Sequence, residues 1–225
     1  FGTPIRRELH VFCDGSECAY GACSYLWQQD GKGQIACSLI MARGRLCPRA
    51  RALTIPRVEL WGATIATRIA AIVKEEIDVN LDDVIYWTDS IAVMQLIKNT
   101  TRRFGVFVGN RVAEIQGSSD IDKWKYVNSA LNPADHISRG LIVNKQGPMP
   151  DELNCWLKGP SFLYGPRSEW PEQPVVIEPI PEDSPEVIKD CHVNAVISPV
   201  ERRWIDQWTV KSNSMDRMCV RAACL

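Results

Sequence analysis

The chain has 225 residues, with 26 basic and 27 acidic side chains and a formal net charge of −1. Its hydrophobic content of 45% and charged content of 24% are ordinary for a soluble globular protein. There is no signal peptide and no apolar stretch of about 18 residues, which excludes a membrane span. The length suits one sizeable domain plus an appendage.

Nine cysteines occur at irregular spacings and none forms a CxxC pair, so the sequence indicates neither a zinc ribbon nor a redox dithiol. This cysteine usage fits a reducing intracellular compartment. The chain begins with Phe1 rather than Met, and we therefore expect it to be a segment of a longer protein.

Three strands are predicted near the beginning of the chain, over residues 8–14, 20–28 and 34–41. The run Asp30-Gly31-Lys32-Gly33 between the second and third strands is typical of a hairpin turn. Residues 42–54 are basic, and we expect them to be irregular.

Helices and strands alternate after this point. Pro56 predicts the beginning of a long helix, because proline is favoured at the first helical position. A strand is predicted over residues 83–88, followed by helices over 91–98 and 105–117. A short strand is predicted over 123–127, and Asn132-Pro133 opens a final helix. The order βββ-α-β-α-α-β-α predicts an α/β fold, with a mixed five-stranded sheet and helices on its faces.

The sequence predicts four regions. Residues 1–140 form the α/β domain, and residues 141–171, with aromatic side chains among Gly and Pro, form an irregular packed extension. Residues 172–199 are rich in Pro and acids, which predicts a linker. Residues 200–225 are expected to begin a further helical region.

Four acids occupy distinctive local positions. Asp14 and Asp89 each end an apolar strand, Glu59 falls in the first turn of the long helix, and Asp135 falls at the beginning of the last helix. Carboxylates that converge from such positions bind hard cations such as Mg²⁺. Two such cations can clamp the attacking and leaving oxygens of a phosphodiester.

Each acid also has an ordinary structural explanation. Asp14 could begin a turn, Glu59 could favour the helix dipole, and Asp89 could belong to a strand-to-helix cap. The spacing of Asn132 and Asp135 resembles a capping box. The joint order D-E-D-D favours a shared site, because closely packed carboxylates repel one another unless cations neutralise them.

Two basic segments flank these acids and suit a polyanionic partner. Ordinary solvated surface charge explains either segment equally well when it is taken alone. The nucleic-acid-binding candidates are Arg43, Arg45, Arg49, Arg51, Arg57, Arg102, Arg103 and Arg111.

Several runs together resemble the RNase H-like region of Bel/Pao-type LTR-retrotransposon pol polyproteins, over about residues 8–171. They are HVFCDGSECAYGACSYL, LTIPRVEL, YWTDS, FVGNRVAEIQ and LNPADHISRGL. The resemblance implies a ribonuclease H-like fold and a position between reverse transcriptase and integrase. The tail NSMDRMCVRAACL resembles the helical stretch leading into that family's integrase.

The resemblance also implies an activity. In ribonucleases H the four acids hold two Mg²⁺ ions, which Mn²⁺ can replace, and cleave the RNA strand of an RNA–DNA hybrid. These roles carry over to Asp14, Glu59, Asp89 and Asp135, with reverse transcription inside a virus-like particle as the expected setting. The auxiliary candidates are Ser16, Ser90 and His136.

One departure leaves alternatives open. Cellular ribonucleases H have a mobile histidine in a loop shortly before the last acid, whereas residues 127–131 contain none. His136 could substitute for it or could pack its helix. A catalytically inactive module that positions nucleic acid is the main alternative. An aspartic peptidase is less favoured, because neither Asp14 nor Asp89 is followed by the Thr/Ser-Gly that such enzymes need.

Overall fold

Five strands form one sheet in the order β3-β2-β1-β4-β5. The computed structural model describes residues 2–48, 53–140 and 151–188, which belong to one compact unit. Arg49, Arg51 and the region predicted over 200–225 lie outside the described residues. The strands are β1 Pro4–Gly15, β2 Ala19–Asp30, β3 Ile35–Leu46, β4 Asp83–Thr88 and β5 Trp124–Tyr126.

The sheet is mixed, as the sequence predicts. β1 pairs with β2 in the antiparallel sense and with β4 in the parallel sense, and β5 adds to β4 in parallel. The two hairpins follow from the turn residues between consecutive strands. The parallel pairing of β1 with β4 needs a crossover, which the long helix provides.

The helices described are α1 Ile55–Glu76, α2 Ile91–Lys98, α3 Val106–Ser118, α4 Asp135–Arg139 and α5 Asp151–Lys158. Ser90 caps α2, because its hydroxyl oxygen accepts a hydrogen bond from the Val93 amide at 3.2 Å. Because α1 begins at Ile55, Glu59 lies just beyond the first turn where the sequence placed it. α4, which the sequence predicts as the final helix, begins at Asp135 rather than at Asn132.

Each face of the sheet has its own core, because successive strand side chains point to opposite faces. One core joins β1 residues such as Leu9 and Val11 to α1, α2 and α3. The other joins Phe12, Trp87 and the aromatic residues of 151–170, including Phe162. The described part of the predicted extension therefore packs against the sheet, and it includes α5, which the sequence pattern did not predict.

The third strand is longer than predicted. It continues to Leu46, because β2 also begins early and Ala19 pairs with Leu46. The stretch 42–46, expected to be irregular, is therefore strand. A register shift between Ser24 and Tyr25 leaves Ile40 of β3 unpaired as a bulge.

The structure also differs from the predicted linker over residues 172–188. Ile180 is buried in the first core, and Val187 forms an isolated antiparallel bridge with Phe104. Glu186 accepts two hydrogen bonds from the Arg57 guanidinium, at 2.8 and 3.0 Å. Residues 172–188 pack on the domain because the apolar residues among their prolines, such as Ile180, are buried there. The linker prediction for residues 189–199 falls outside the described residues.

Along the part of the chain that the structure describes, no helix is both long and apolar enough to cross a membrane.

Two glycines let α1 pass close to the end of β1. A Cβ atom on Gly15 would lie 2.7 Å from the Glu59 amide nitrogen, and one on Gly62 would lie 2.5 Å from the Asp14 carbonyl oxygen. Both distances are shorter than ordinary contacts, so only residues without a Cβ allow this approach. The glycines therefore set how near Glu59 comes to Asp14.

We predict that Gly62→Ala lowers the free energy of unfolding by about 1–3 kcal/mol, because the added methyl overpacks a backbone contact. Gly117→Ala is the matched control within α3, since a Cβ there meets nothing within 4 Å. It should stabilise the protein by about 0.5–1 kcal/mol through helix propensity alone. Urea denaturation of both variants measures the difference. Equal stabilisation by the two substitutions would show that α1 does not need this close approach.

Candidate carboxylate site at the ends of β1 and β4

Asp14 and Asp89 meet at one edge of the sheet. β1 and β4 run parallel with Cys13 opposite Thr88, so each strand places its acid at the next position. Asp14 is 5% exposed, and Asp89 is partly buried. The carboxyl ends of neighbouring parallel strands are where α/β sheets place functional residues.

Glu59 joins these two acids from α1. Its Oε2 accepts a hydrogen bond of 2.6 Å from the Ser90 hydroxyl, and Ser90 directly follows Asp89. The same hydroxyl oxygen caps α2, so Ser90 connects the helix cap to the carboxylate. The auxiliary candidate Ser90 therefore lies in contact with a predicted site residue.

Further hydroxyls orient the two aspartates. Ser129 donates to Asp89 Oδ2 at 2.5 Å, and Ser138 donates to Asp14 Oδ2. Ser16, another auxiliary candidate, donates to the Ser138 carbonyl at 2.7 Å and so ties the β1–β2 turn to α4. Its hydroxyl does not contact a carboxylate in this arrangement, which makes its role one of support.

The pKa values of Glu59 and Asp89 are both raised. Burial is the main cause that raises the pKa of Glu59, and the charges of Asp89 and Asp14 raise it further. Burial also raises the pKa of Asp89, with Asp14 as the largest charge contribution. These shifts show that Asp14, Glu59 and Asp89 lie close enough to repel one another.

Asp135 is placed differently. One third of its side chain is exposed, and its Oδ1 forms a 2.7 Å ion pair with Arg139 one helical turn later. It is not among the charges that raise the pKa of Glu59 or Asp89. The structure thus brings three of the four predicted acids together and leaves Asp135 engaged with a cation of its own helix.

His136, the third auxiliary candidate, packs against the extension. Its ring lies edge-to-face with Trp156, with ring centres 6.0 Å apart. This contact favours the helix-packing alternative for His136 over a role beside the carboxylates.

The site fits a hard cation in part. Three oxygen-donor side chains converge, the pKa values of Glu59 and Asp89 are raised, and Asp89 Oδ1 is buried without a hydrogen-bond partner. However, among the residues that the structure describes, no group of three or more His, Cys, Asp or Glu side chains is gathered tightly enough to hold a metal ion. The donor chemistry is that of a magnesium site, whereas the present side-chain positions are too open for one.

Sequence reasoning missed three polar residues of this site, namely Ser129, Asn132 and Ser138. Asn132 donates to the Cys13 carbonyl at 3.0 Å and accepts from the Ala134 amide at 3.1 Å, which fixes α4 against β1. The Asn-Pro pair before the last acid is a sequence signal that could have identified Asn132 as a structural residue of the site. Ser129 and Ser138 have no comparable sequence signal, because a serine in a polar turn or a short helix is ordinary.

The predicted nucleic-acid-binding arginines divide into two groups. Arg57 and Arg102 are paired with acids of residues 172–188, namely Glu186 at 2.8 Å and Glu182 at 2.8 Å. The others that the structure describes form no ion pair within its described ranges, and they are Arg43, Arg45, Arg103 and Arg111.

Strand order β3-β2-β1-β4-β5, three leading antiparallel strands and helices on both faces define a ribonuclease H-like fold. The fold prediction is confirmed. Residues 3–90 match the family described as "Pao retrotransposon-like RNaseH-like domain". This part of the chain is therefore similar to the RNase H-like region of Pao-type retrotransposons. The match includes Asp14, Glu59 and Asp89 and ends before Asp135, whereas the predicted resemblance extended to about residue 171.

Solved ribonucleases H are distant structural neighbours. An N-terminal RNase H domain from Mycobacterium tuberculosis, fused to maltose-binding protein, is 12% identical with a TM-score of 0.39, covering 67% of this chain and 96% of that one. RNase H1 from the archaeon Halobacterium salinarum is 18% identical with a TM-score of 0.36, covering 59% and 93%. LC11-RNase H1, solved with an RNA/DNA hybrid, is 11% identical with a TM-score of 0.38, again covering 59% and 93%. No curated protein matches the sequence.

The raised pKa values predict a specific pH dependence. Because the native state holds protons on Glu59 and Asp89 at pH values where the unfolded chain has lost them, the free energy of unfolding falls as pH rises above their ordinary values of 4.5 and 3.8. We expect Glu59→Gln and Asp89→Asn to reduce this fall and to stabilise the metal-free protein at pH 7. Urea denaturation in EDTA from pH 4 to pH 8 measures it.

Glu114 provides a control of opposite sign. A hydrogen bond from Arg68 is the main cause that lowers its pKa, so its stabilisation is present above its ordinary pKa and is lost as pH falls. Glu114→Gln should therefore destabilise the protein at pH 7. If Asp89→Asn destabilised it in the same way, mutual repulsion at the carboxylate site would be contradicted.

Proposed function

We propose that this region is a ribonuclease H of a retrotransposon, which hydrolyses the RNA strand of RNA–DNA hybrids during reverse transcription. The observation that carries the proposal is the convergence of Asp14, Glu59 and Asp89 at the ends of β1 and β4, with raised pKa values for Glu59 and Asp89. Groups whose pKa values are perturbed by burial and by one another concentrate at functional sites.

Asp14, Glu59, Asp89 and Asp135 would hold two Mg²⁺ ions, with Mn²⁺ as a substitute. When bound, such a pair supplies a nucleophilic water at neutral pH and stabilises the leaving 3′ oxygen. The protein's part is to hold the carboxylates in position: Ser138 fixes Asp14, Ser90 fixes Glu59 and Ser129 fixes Asp89. Supporting hydrogen bonds of this kind orient metal ligands.

Asp135 requires a rearrangement in this proposal. Its ion pair with Arg139 is exposed, and exposed ion pairs contribute only about 0–1 kcal/mol to stability. Breaking this ion pair so that Asp135 can bind a metal cation therefore costs little free energy. Arg139 is 66% exposed and can turn into solvent without losing a buried contact. The fourth carboxylate is therefore available at small cost.

The wider setting is part of the same proposal. Reverse transcriptase and integrase would be partners within a pol polyprotein, and a cytoplasmic virus-like particle would be the location. The exposed arginines that lack an acidic partner within the described residues suit the phosphates of a hybrid, whose recognition also needs contacts to the 2′-hydroxyls of the RNA strand.

A second candidate, a module that binds a hybrid without cleaving it, is favoured by two observations. Asp135 is engaged with Arg139, and no three acids of the described residues are gathered tightly enough to hold a metal ion. The loop of residues 127–131 also lacks the histidine of cellular ribonucleases H. This candidate predicts hybrid binding without cleavage at any Mg²⁺ concentration.

We predict that the wild-type protein cleaves a labelled RNA–DNA hybrid in Mg²⁺ and that Asp89→Asn abolishes cleavage, because it removes a carboxylate that would bind the cation. Asp122→Asn, at an exposed acid away from the site, is the matched control and should retain wild-type cleavage. Gel analysis of the RNA strand measures the products.

Binding of the same hybrid in EDTA separates the two candidates. Unchanged cleavage by Asp89→Asn would contradict the assigned site. Tight binding by the wild-type protein without cleavage in either Mg²⁺ or Mn²⁺ would favour the positioning module.

A further inference from the structure

A basic cleft of about 430 Å³ opens between α1, α3 and the last part of β3. Its lining contains one acid, Glu114, and four arginines, which are Arg43, Arg45, Arg68 and Arg111. The lining includes none of Asp14, Glu59, Asp89 and Asp135. It is therefore separate from the carboxylate site.

The bulge at Ile40 determines which way these strand arginines point. Leu39, before the bulge, packs in the core beside Phe12, whereas Met41, after it, packs in the core beside α1. One extra residue thus reverses the alternation of β3. Arg43 and Arg45 follow Met41 at two-residue intervals and so share its face, where they line the cleft.

Arg111 is held in place without an acidic partner of its own. Its guanidinium lies 3.7 Å from the centre of the Phe107 ring, and its Nη1 donates to the Phe107 carbonyl at 2.7 Å. Its Nε is buried with no hydrogen-bond partner, and burial is the main cause that lowers the pKa of this group. A preorganised donor is left with unused hydrogen-bonding capacity.

The positive charge of the cleft is only partly balanced. Glu114 accepts two hydrogen bonds from Arg68, at 2.6 and 3.0 Å, and so neutralises that arginine. Arg43 and Arg45 are exposed and form no ion pair with any residue in the described ranges. Three guanidinium groups around one cleft repel one another, and an anion would relieve that repulsion.

The chemistry favours phosphate rather than a base as the ligand. Trp61 is the large aromatic residue of the cleft, but Tyr20 stacks on it with ring centres 4.9 Å apart, and Arg111 lies over it at 5.1 Å. Its ring is thus occupied by the protein itself. Two arginines spaced about 6.6 Å apart along one strand suit a ligand with repeating charge better than a single ion.

We infer that this cleft binds the phosphodiester backbone of a nucleic-acid strand, as a contact surface separate from the carboxylate site. The inference rests on the proposed function for its choice of nucleic acid as the ligand. The inference does not include Arg57 and Arg102, because these two arginines already form ion pairs with Glu186 and Glu182.

The test compares the full chain with an Arg43→Gln/Arg45→Gln variant, using fluorescence anisotropy of a labelled RNA–DNA hybrid in EDTA. The variant should bind at least about tenfold more weakly at 0.1 M salt, and its log–log salt slope should fall by about 2, because each phosphate contact contributes a slope near 0.9. Lys32→Gln/Lys74→Gln removes the same charge from two exposed positions outside the cleft and should bind like the wild type. Thermal unfolding confirms that each variant is folded.

Equal affinity and salt slope for the arginine and lysine variants would overturn the inference, and so would a wild-type protein that does not bind the hybrid. Displacement of the hybrid by millimolar inorganic phosphate, but not by chloride at equal ionic strength, would indicate a single-ion site and would also overturn it. Because binding is measured without metal, a wild-type protein that binds through these arginines but never cleaves would contradict the proposed ribonuclease activity alone.

Discussion

The parallel pairing of β1 with β4 is the constraint on which the rest of the site depends. It sets Asp14 beside Asp89 at the carboxyl edge of the sheet, where burial and the charge of Asp14 raise the pKa of Asp89. A fold accepts such a pair only when something else stabilises it or when a ligand neutralises it. Here the hydroxyls of Ser138 and Ser129 hold the two carboxylates and leave Asp89 Oδ1 buried without a partner. A bound cation would provide a partner for Asp89 Oδ1.

The surrounding elements are arranged to keep this edge compact. Gly15 and Gly62 let α1 cross the end of β1 closely enough to bring Glu59 to the two aspartates. Asn132 ties α4 to the Cys13 carbonyl, next to Asp14. The opposite side of the sheet end carries the basic cleft, whose orientation depends on the bulge in β3. The carboxylate site and the basic cleft thus use different residues of the same sheet and of α1.

Much of this arrangement could be predicted from local sequence signals. Strand-ending acids, Pro56 and the hairpin turn predicted the element order and a site of four acids, of which Asp14, Glu59 and Asp89 lie close together in the structure. The predictions that were wrong concern features that depend on tertiary contacts. The extension of β3 to Leu46 depends on its pairing with Ala19, and the packing of Ile180 and Glu186 depends on apolar and basic surfaces distant in sequence. Asp135 forms an ion pair with Arg139 in the structure. Its residue type and position in the sequence are equally compatible with that ion pair and with binding of a metal cation.

The central claim is that these carboxylates form a two-cation site. The most direct measurement is the anomalous X-ray scattering of crystals soaked in Mn²⁺. The account predicts two peaks about 4 Å apart among Asp14, Glu59, Asp89 and Asp135, with Arg139 turned away from Asp135. Crystals that show no manganese between Asp14 and Asp89 at millimolar concentrations would contradict it.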